Sequence, residues 1–334
     1  MTRPERPDHP STVNALAASV LEGDRRALAR AITLIESTKM DDQKESETLL
    51  ASLLPRTGGA VRIGISGAPG VGKSTFIEAF GLHLTGLGKK VAVFAIDPSS
   101  RRGGGSILGD KTRMEKLSRD PNAYIRPSPA GTTLGGVARR TRECLLLAEA
   151  SGFDVVIVET VGVGQSETAV ADMTDLFVLL ASPGGGDDLQ GIKRGVMELA
   201  DLVVVTKADG DLMPAARRAV ADYHAALHLM RPKHLGLHPK VLPVSSIEGT
   251  GIGDAWNEIS AIHAALAQNG RLTALRADQG RRWFWSEVQA SLSEAILSDP
   301  VLAGRAGELE AAVAGGSALP YAAARALLKG FRPA

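Results

Sequence analysis

A glycine-rich segment between a predicted strand and a predicted helix places the strongest constraint on how this chain can fold. The apolar run 61–66 precedes the segment, and the helical sequence 76–80 follows it. Glycines let successive backbone N–H groups point into one concavity, and the helix N-terminus adds partial positive charge there. The pattern predicts a P-loop that binds a nucleoside triphosphate. Its residues are Gly67, Ala68, Pro69, Gly70, Val71, Gly72, Lys73, Ser74 and Thr75.

Two side chains of this loop have predicted chemical roles. Lys73 has the position of the P-loop lysine that contacts the β- and γ-phosphates, so we predict that it stabilises charge during phosphoryl transfer. The Ser74 hydroxyl has the position of a Mg²⁺ ligand.

The sequence 206–209 indicates that the nucleotide is GTP. It reads Thr-Lys-Ala-Asp after the apolar run 202–205, close to the Asn-Lys-x-Asp element of GTPases. Guanine presents N1–H and an amino group side by side, and one carboxylate accepts both, whereas adenine has no such pair. We therefore expect Asp209 to bind the base and the stem of Lys207 to pack over its plane. Because Thr206 replaces the usual Asn, one supporting hydrogen bond stays open.

The end of the predicted last strand resembles a further guanine-binding element. The run 241–244 leads into Ser245, Ser246 and Ile247, where GTPases usually carry Ser-Ala. In that element, backbone groups contact the O6 atom of guanine. We expect residues 245–247 to do the same here.

Two carboxylates end predicted strands near the P-loop. Glu159 follows the apolar run 155–158, and Asp97 follows the run 91–96. Ligands of parallel α/β sheets bind at the carboxyl ends of the strands, so both side chains are predicted Mg²⁺ ligands or hydrolysis residues. A single strand-ending Asp is also a common helix cap. Gly162, shortly after Glu159, is expected to donate its N–H to the γ-phosphate.

Two glycine-rich segments, 99–110 and 182–193, favour movement coupled to the nucleotide. Glycine lowers the cost of adopting several conformations. Asp110 ends the first segment and is expected to approach the metal when that segment closes. Lys193 ends the second segment and is a candidate for stabilising transition-state charge.

Val163 has a consequence for the rate of hydrolysis. It occupies the position at which Ras-like GTPases carry a Gln that orients the attacking water. A hydrophobic side chain cannot orient water. Either Asp97 or another group takes that role, or hydrolysis waits for a partner.

The alternation of strand-like and helical segments predicts the fold class. It indicates an α/β P-loop NTPase with a mostly parallel sheet and helices on both faces. The 334 residues allow one large domain with additions. We predict an N-terminal helical extension (1–58), a GTPase domain (59–268) and a C-terminal helical arm (269–334).

Composition excludes several classes of partner and location. The net charge of +1 gives no footprint for nucleic acid or an anionic membrane. No apolar run approaches the roughly 18 residues of a membrane span. The polar start of the chain lacks the apolar core of a signal peptide. With its one cysteine, Cys144, the chain is predicted to be cytoplasmic.

Together these stretches resemble the MeaB family of bacterial GTPases, to which the human methylmalonic aciduria type A protein is related. The stretch 159–167 carries the most specific part of the resemblance, and the others are 67–75, 95–100, 109–114 and 206–209. The resemblance extends over nearly the whole chain. It implies GTP hydrolysis to GDP and phosphate, with Asp97, Asp110 and Glu159 as the Mg²⁺ and hydrolysis residues.

The same resemblance implies partners. Members of the family act as chaperones of methylmalonyl-CoA mutase, gating the loading of adenosylcobalamin and protecting the mutase from inactivation. The C-terminal helices would then form a homodimerisation arm, and 182–193 would be a segment that responds to the partner.

Three other functions stay open at this point. A metal-insertion GTPase for nickel enzymes shares the core but usually carries Cys and His ligands near the P-loop. A small-molecule kinase would need an acceptor pocket, and Asp209 argues against an ATP enzyme. In a pure scaffold, the nucleotide would be structural. The spacing of His224, His228, His234 and His238 permits a surface metal site, although solvated positions are the simpler interpretation.

Overall fold

The computed structural model describes residues 9–96, 114–127, 134–160, 166–184, 194–234 and 236–330. Within these residues, seven strands form one sheet in the order β3-β2-β4-β1-β5-β6-β7, and every neighbouring pair is parallel. The predicted α/β class is confirmed. The strands are β1 (Val61–Gly67), β2 (Val91–Ile96), β3 (Ala123–Pro127), β4 (Val155–Thr160), β5 (Leu176–Ala181), β6 (Leu202–Val205) and β7 (Lys240–Pro243).

Helices precede, connect and follow these strands. Those before and within the sheet are α1 (His9–Leu21), α2 (Arg25–Glu36), α3 (Met40–Leu53), α4 (Lys73–Gly86), α5 (Glu115–Arg119), α6 (Leu134–Ala150), α7 (Ser166–Ala171), α8 (Arg194–Met197) and α9 (Met213–His228). Those after the last strand are α10 (Ile252–Gln268), α11 (Arg271–Ser298), α12 (Pro300–Ala314) and α13 (Pro320–Gly330).

The central strands are buried on both faces because successive side chains point to opposite sides of a strand. In β4, Val155 and Ile157 pack in the same cluster as α4 and α10. Val156 and Val158 pack in the opposite cluster, with residues of α1, α2, α3 and α6. The predicted covering of both faces by helices follows from this alternation.

The N-terminal helices share a hydrophobic core with the sheet. Leu28 and Ile32 of α2 are fully buried in the cluster that also contains Phe94 of β2. At the edge strand, the Arg25 guanidinium donates to the Ala123 carbonyl at 2.7 Å, and Arg126 forms an ion pair with Glu36. These helices therefore contribute directly to the packing of one sheet face.

The chain divides into two compact units, Met1–Ala277 and Asp278–Ala334. The first unit contains the sheet together with the N-terminal helices. The division falls within α11, later than the predicted boundary at 268. The functional division at 58 and 268 stays a prediction.

Three aspartates bind the start of one strand to the strand beside it. Each stands directly before β4, β5 or β6. Its N–H donates to a carbonyl of the neighbouring strand's entry, and its carboxylate accepts the N–H of that same residue. This two-way bond fixes the register of each pair at its first residues. The pairs are Asp154 with Lys90, Asp175 with Arg62, and Asp201 with Phe177.

Asp175 is also the centre of a buried charge network. The Arg276 guanidinium donates to its carboxylate through Nε at 2.8 Å and Nη2 at 2.7 Å, and it also binds the carbonyls of Gly58 and Ala60. His263 lies 3.6 Å from the same carboxylate. Burial alone would raise the pKa of Asp175, but the hydrogen bonds from Arg276, together with the nearby His263, lower it from its usual 3.8 to about 2. The network ties the first turns of α11 to the sheet.

We expect Asp175→Asn to lower the free energy of unfolding by about 3–5 kcal/mol at pH 7, because Arg276 is left buried without its counter-charge. Since the pKa of Asp175 is lowered on folding, its stabilisation is present above about pH 4 and is lost as the pH falls towards 2. The difference between wild type and variant should therefore shrink by about 2 kcal/mol over that range. Urea unfolding at several pH values measures it.

The matched control is Asp211→Asn, which alters an exposed carboxylate of the same type. It should leave the unfolding free energy unchanged at every pH. A pH-independent loss in Asp175→Asn would contradict the assigned pKa.

Candidate active site

The backbone of the P-loop requires glycine at three positions. Gly70 (φ 79°) and Gly72 (φ 98°) lie in the left-handed region that side chains disfavour. At Gly67, a Cβ atom would lie only 2.6 Å from the Leu180 carbonyl oxygen of β5. The loop is therefore pressed closely against the end of β5. Directly after Gly72, α4 begins at Lys73.

The ammonium of Lys73 lies inside the loop that precedes its helix. It donates to the carbonyls of Gly67 at 2.7 Å and Ala68 at 3.1 Å. Burial lowers the pKa of Lys73, while the negative charges of Glu159 and Glu167 act to raise it. The loop thus holds a half-buried cation beside the backbone N–H groups at the start of α4, which is the arrangement a phosphate requires.

The described part of the predicted Mg²⁺ site has suitable oxygen donors. Ser74 is half-buried on the first turn of α4, and Thr75 beside it is exposed. Glu159 is buried on β4, in register with Ile65 of β1. A hydroxyl and a carboxylate at the same sheet edge are oxygen ligands of the kind Mg²⁺ takes, so the residues present fit the ion.

Four predicted site residues lie outside the described residues. They are Asp97, Asp110, Gly162 and Lys193. Their roles, like the role of Glu159 in metal binding, stay predictions.

Thr206, at the position where GTPases usually carry Asn, contacts the P-loop through its hydroxyl. Its hydroxyl lies 2.6 Å from the Val71 carbonyl oxygen of the P-loop and 3.1 Å from the Ala181 carbonyl oxygen of β5. The side chain is buried. One hydroxyl therefore joins β6, β5 and the P-loop, and a residue shorter than Asn suffices for this contact.

Lys207 reaches from the end of β6 to the P-loop. It has a left-handed backbone (φ 54°), which is uncommon for a residue other than glycine and often occurs at functional sites. Its ammonium donates to the Gly70 carbonyl at 2.8 Å. The exposed stem thus lies between the P-loop and Asp209, where the sequence predicts the plane of the base.

Asp209 is held by a serine of the last guanine-binding element. The Ser245 hydroxyl donates to the Asp209 carboxylate at 2.5 Å and accepts the N–H of Glu248 at 3.1 Å. Ser245 is fully buried, Ser246 is half-buried and Ile247 is 84% exposed. The Ser245 side chain therefore orients the Asp209 carboxylate. The predicted contact of its backbone with guanine stays a prediction.

Three buried polar residues beneath the P-loop received no individual role in the sequence analysis. They are Ser66, Thr160 and Glu167, and their side chains lie close together. Glu167 lies in the stretch 159–167 that carries the family resemblance, and the signal at Ser66 and Thr160 is a small polar residue near the end of an apolar run. That signal does not say which strands are neighbours.

The alternative surface metal site is not supported. Among the residues that the structure describes, no group of three or more His, Cys, Asp or Glu side chains could hold a metal ion. His224, His228 and His238 are exposed, and His234 contacts the Asp201 carboxylate at 3.2 Å. The interpretation as solvated or structural positions is therefore preferred.

A P-loop ending in Lys73-Ser74 and a guanine-type carboxylate held at the same sheet edge define the class of P-loop GTPases. The family model described as "Methylmalonyl Co-A mutase-associated GTPase MeaB" matches residues 28–300. The chain belongs to this family and is a GTPase.

Individual relatives agree with this membership. A protein of Caulobacter vibrioides with a GTPase name is 54% identical over 320 residues, covering 96% of this chain and 98% of that protein. The mouse "Methylmalonic aciduria type A homolog, mitochondrial" is 47% identical over 330 residues, covering 96% of this chain and 80% of that protein. The crystal structure titled "LAO/AO transport system kinase" is 38% identical, has a TM-score of 0.77, and covers 96% of this chain and 97% of its own.

We expect Thr206→Val to weaken the binding of GDP and GTP by similar factors, about 5- to 50-fold. The isosteric change removes the hydroxyl that donates to the Val71 carbonyl, at a cost of about 1–2 kcal/mol, whereas the Ala181 carbonyl keeps its bond from the Thr206 N–H. Thr206→Ser, which keeps the hydroxyl, should bind both nucleotides nearly as wild type does. Fluorescence titration with labelled nucleotides measures the affinities. Unchanged binding in Thr206→Val would show that this hydroxyl does not support the P-loop.

Proposed function

We propose that this GTPase is a chaperone of adenosylcobalamin-dependent methylmalonyl-CoA mutase, gating cofactor loading and protecting the mutase from inactivation. The observation that carries the proposal is the match of residues 28–300 to a family described as mutase-associated GTPases. The 47% identity to the mouse methylmalonic aciduria type A homolog supports it. Magnesium, the mutase and a second copy of the chain are the proposed partners.

In the proposed reaction, the described residues bind and orient GTP. Asp209, held by Ser245, accepts the two guanine donors, and Lys207 packs along the base. The N–H groups of the P-loop and Lys73 bind the β- and γ-phosphates. Ser74 and Glu159, with Asp97 and Asp110, would hold Mg²⁺. The ion, when bound, neutralises charge on the phosphate oxygens.

We propose that the rate of GTP hydrolysis depends on the mutase, because the chain has a hydrophobic residue where a side chain that orients the attacking water is expected. Val163 cannot orient water, so the proposed intrinsic rate is low, on the order of 10⁻⁴–10⁻² s⁻¹. Lys193 ends the glycine-rich sequence 182–193, which is the segment proposed to respond to the partner. Its ammonium would then stabilise charge on the γ-phosphate.

Methylmalonyl-CoA mutase is expected to accelerate GTP hydrolysis by roughly 10- to 100-fold, equivalent to about 1.4–2.7 kcal/mol of barrier. Lys193→Ala should reduce this stimulation and leave the intrinsic rate nearly unchanged, because the ammonium acts only in the complex. Phosphate release under single-turnover conditions, with and without the mutase, measures both rates.

Arg218→Ala provides a control for the loss of one exposed positive charge on unit Met1–Ala277. It should retain full stimulation. If the mutase neither binds nor stimulates the wild-type chain, the chaperone proposal is wrong, although the GTPase assignment is unaffected. Equal losses of basal and stimulated rate in Lys193→Ala would place Lys193 in the resting active site.

The unit Asp278–Ala334 carries the proposed dimer surface. Phe284 and Trp285 of α11 are 60% and 63% exposed, and their rings pack edge to face with centroids 5.5 Å apart. Val301 of α12 and Tyr321 of α13 are also exposed. Large exposed apolar side chains grouped on a small helical unit favour a protein partner. A second copy of the chain is the proposed partner.

We expect Trp285→Glu to shift the chain from dimer to monomer in sedimentation equilibrium, since a charge in an apolar interface would be buried without a partner. Leu229→Glu is the matched control, because Leu229 is also a large, exposed apolar residue but belongs to the unit Met1–Ala277. It should leave the mass unchanged. A wild-type chain that sediments as a monomer at micromolar concentration would remove the dimer proposal.

The alternative functions find less support. The name kinase is that of a related crystal structure. This chain combines the P-loop with an Asp209 carboxylate that is held for guanine recognition. For nickel insertion, the chain has one cysteine, Cys144, which is buried. Burial raises the pKa of its thiol well above the usual value, so a metal-binding thiolate is disfavoured.

The location of the protein also belongs to the proposal. None of the helices in the described residues is long and apolar enough to span a bilayer. We propose a cytoplasmic location without membrane or nucleic-acid partners, on the basis of the net charge of +1 and the single cysteine.

A further inference from the structure

A buried carboxylate, that of Glu167, lies beneath the P-loop and has no role in the site described above. Glu167 stands in the first turn of α7 and is 4% exposed. Its Oε1 atom lies 3.5 Å from the hydroxyl of Ser66, the residue directly before Gly67. The Gly67 carbonyl accepts the Lys73 ammonium at 2.7 Å. Adjacent residues at the entry to the P-loop therefore contact the carboxylate and the cation that is predicted to bind phosphate.

α7 and the turn after it pack directly on the backbone of β1, which fixes where Glu167 lies. At Gly64 of β1, a Cβ atom would lie 2.7 Å from the Val170 side chain and 2.9 Å from the Thr174 hydroxyl. Val170 and Thr174 are buried, and the Thr174 hydroxyl donates to the Val170 carbonyl at 2.9 Å. Close-packed groups of this kind leave little room for movement. The carboxylate is therefore held near the end of β1.

Glu159 and Glu167 act on Lys73 from opposite faces of the sheet. Glu159 alternates with Ile157 and so lies on the face of α4, which carries Ser74. α7, with Glu167, packs in the cluster on the other face. Burial lowers the pKa of Lys73, whereas the negative charges of Glu159 and, to a smaller extent, Glu167 act to raise it. Both carboxylates therefore attract the Lys73 ammonium.

The two carboxylates differ in what happens to their charge when a nucleotide binds. Glu159 is a predicted Mg²⁺ ligand, so the ion that accompanies the nucleotide would compensate its charge. Glu167 lies on the opposite face of the sheet and does not belong to that ligand set. The ion therefore leaves the charge of Glu167 in place, and like charges at a buried site repel each other. A carboxylate that attracts Lys73 from this position opposes the phosphates that Lys73 binds.

We propose that the Glu167 carboxylate limits the affinity of the P-loop for guanine nucleotides and thereby keeps bound GDP exchangeable. The proposal rests on the nucleotide site of the proposed function and is independent of the mutase. A GTPase can bind a new GTP only after GDP leaves, and GDP is held at the P-loop through its phosphates. A fixed negative charge beneath the loop favours the release of nucleotides that carry phosphate. Because this charge belongs to the folded chain, it acts without a partner protein.

A purely structural role for Glu167 makes the opposite prediction. An acidic residue in the first turn of a helix is stabilising, and the contact with Ser66 would help to hold the entry to the P-loop. If this were the whole effect of Glu167, removing its charge would loosen the loop and weaken nucleotide binding. If the charge opposes phosphate, its removal strengthens binding. The sign of the change in affinity therefore separates the two roles.

The test is Glu167→Gln, which keeps the shape of the side chain and removes its charge, in the full chain with Mg²⁺. The variant should bind GDP and a non-hydrolysable GTP analogue about 5- to 30-fold more tightly than wild type, as expected when one like charge is removed from a buried, partly screened site. The gain should appear mainly as slower dissociation of GDP. Fluorescence titration and stopped-flow displacement of labelled GDP measure the affinity and the dissociation rate.

Guanosine provides a reference ligand, because it carries the base that Asp209 is predicted to bind but no phosphate. In competition with labelled GDP, wild type and Glu167→Gln should bind guanosine with the same affinity. The gain for GMP should lie between those for guanosine and GDP, since the repulsion grows with the charge of the ligand. An equal gain for guanosine and GDP would show that the substitution acts on the base site or on the fold, and it would overturn the proposal.

Two variants keep the negative charge and serve as controls. Glu167→Asp shortens the side chain, and Ser66→Ala removes the hydroxyl that contacts it. Neither should tighten nucleotide binding. Glu149→Gln is the control for the loss of a buried carboxylate, since Glu149 pairs with Arg62 at the edge where the strands begin. It should lower the stability of the fold and leave the nucleotide affinities unchanged.

Glu167→Met removes the same charge and keeps the proposal testable if Glu167→Gln fails to fold. A buried charge that is replaced by an apolar side chain of similar size is often tolerated. Weaker or unchanged GDP binding in these variants would overturn the proposal. A wild-type chain that binds neither GDP nor GTP would instead show that the P-loop itself is wrongly assigned.

Discussion

The register of the sheet depends on the three aspartates that precede β4, β5 and β6. In parallel strands this short, a slip of one residue would move every apolar side chain to the wrong face. The bond between Asp175 and Arg62 pairs β5 with β1 so that Leu180 stands opposite Gly67. That pairing brings the Leu180 carbonyl against the P-loop. The position of the nucleotide site is thus determined at the other edge of the sheet, where the strands begin.

At the nucleotide edge of the sheet, short side chains with a hydroxyl group support the P-loop and the carboxylate of Asp209. A strand end buried beneath a loop carries polar groups that water cannot reach, and each unpaired group is costly. A serine or threonine donates one bond without needing much volume. The supporting residues form a layer behind the residues predicted to touch GTP. They are Ser66 and Thr160 below the entry to the P-loop, Thr206 behind Val71, and Ser245 behind Asp209.

The sequence predicts those parts of this architecture that local chemistry determines. The P-loop and its helix were predictable because glycine, lysine and serine occur in fixed order between an apolar run and a helix. The alternation of segments predicted the sheet, and β1, β2, β4, β6 and β7 match the predicted runs within a residue or two. Thr206 shows the limit of a motif. The side chain departs from the usual Asn, yet its hydroxyl makes a bond that geometry alone could reveal.

The parts that were not predictable depend on contacts between distant segments. Ser66 meets Thr160 because β4 lies beside β1, although two other strands separate them in the sequence. The sequence analysis places the end of the GTPase domain at residue 268. Arg276 nevertheless binds Asp175, so the start of the next helix belongs to the unit Met1–Ala277. No local pattern marks that pair.

Buried charges are paired more completely at the edge where the strands begin than at the nucleotide edge. The first edge serves the stability of the fold, and the second serves nucleotide binding. At the edge where strands begin, charges are paired so well that the pKa of Asp175 falls and that of Arg276 rises despite burial. At the nucleotide edge, burial outweighs the nearby carboxylates and lowers the pKa of Lys73. A phosphate supplies the negative charge that the folded protein itself supplies only in part. The environment of Lys73 therefore disfavours its positive charge until the substrate is bound. A bound phosphate relieves this unfavourable environment, and that relief favours binding of the anion.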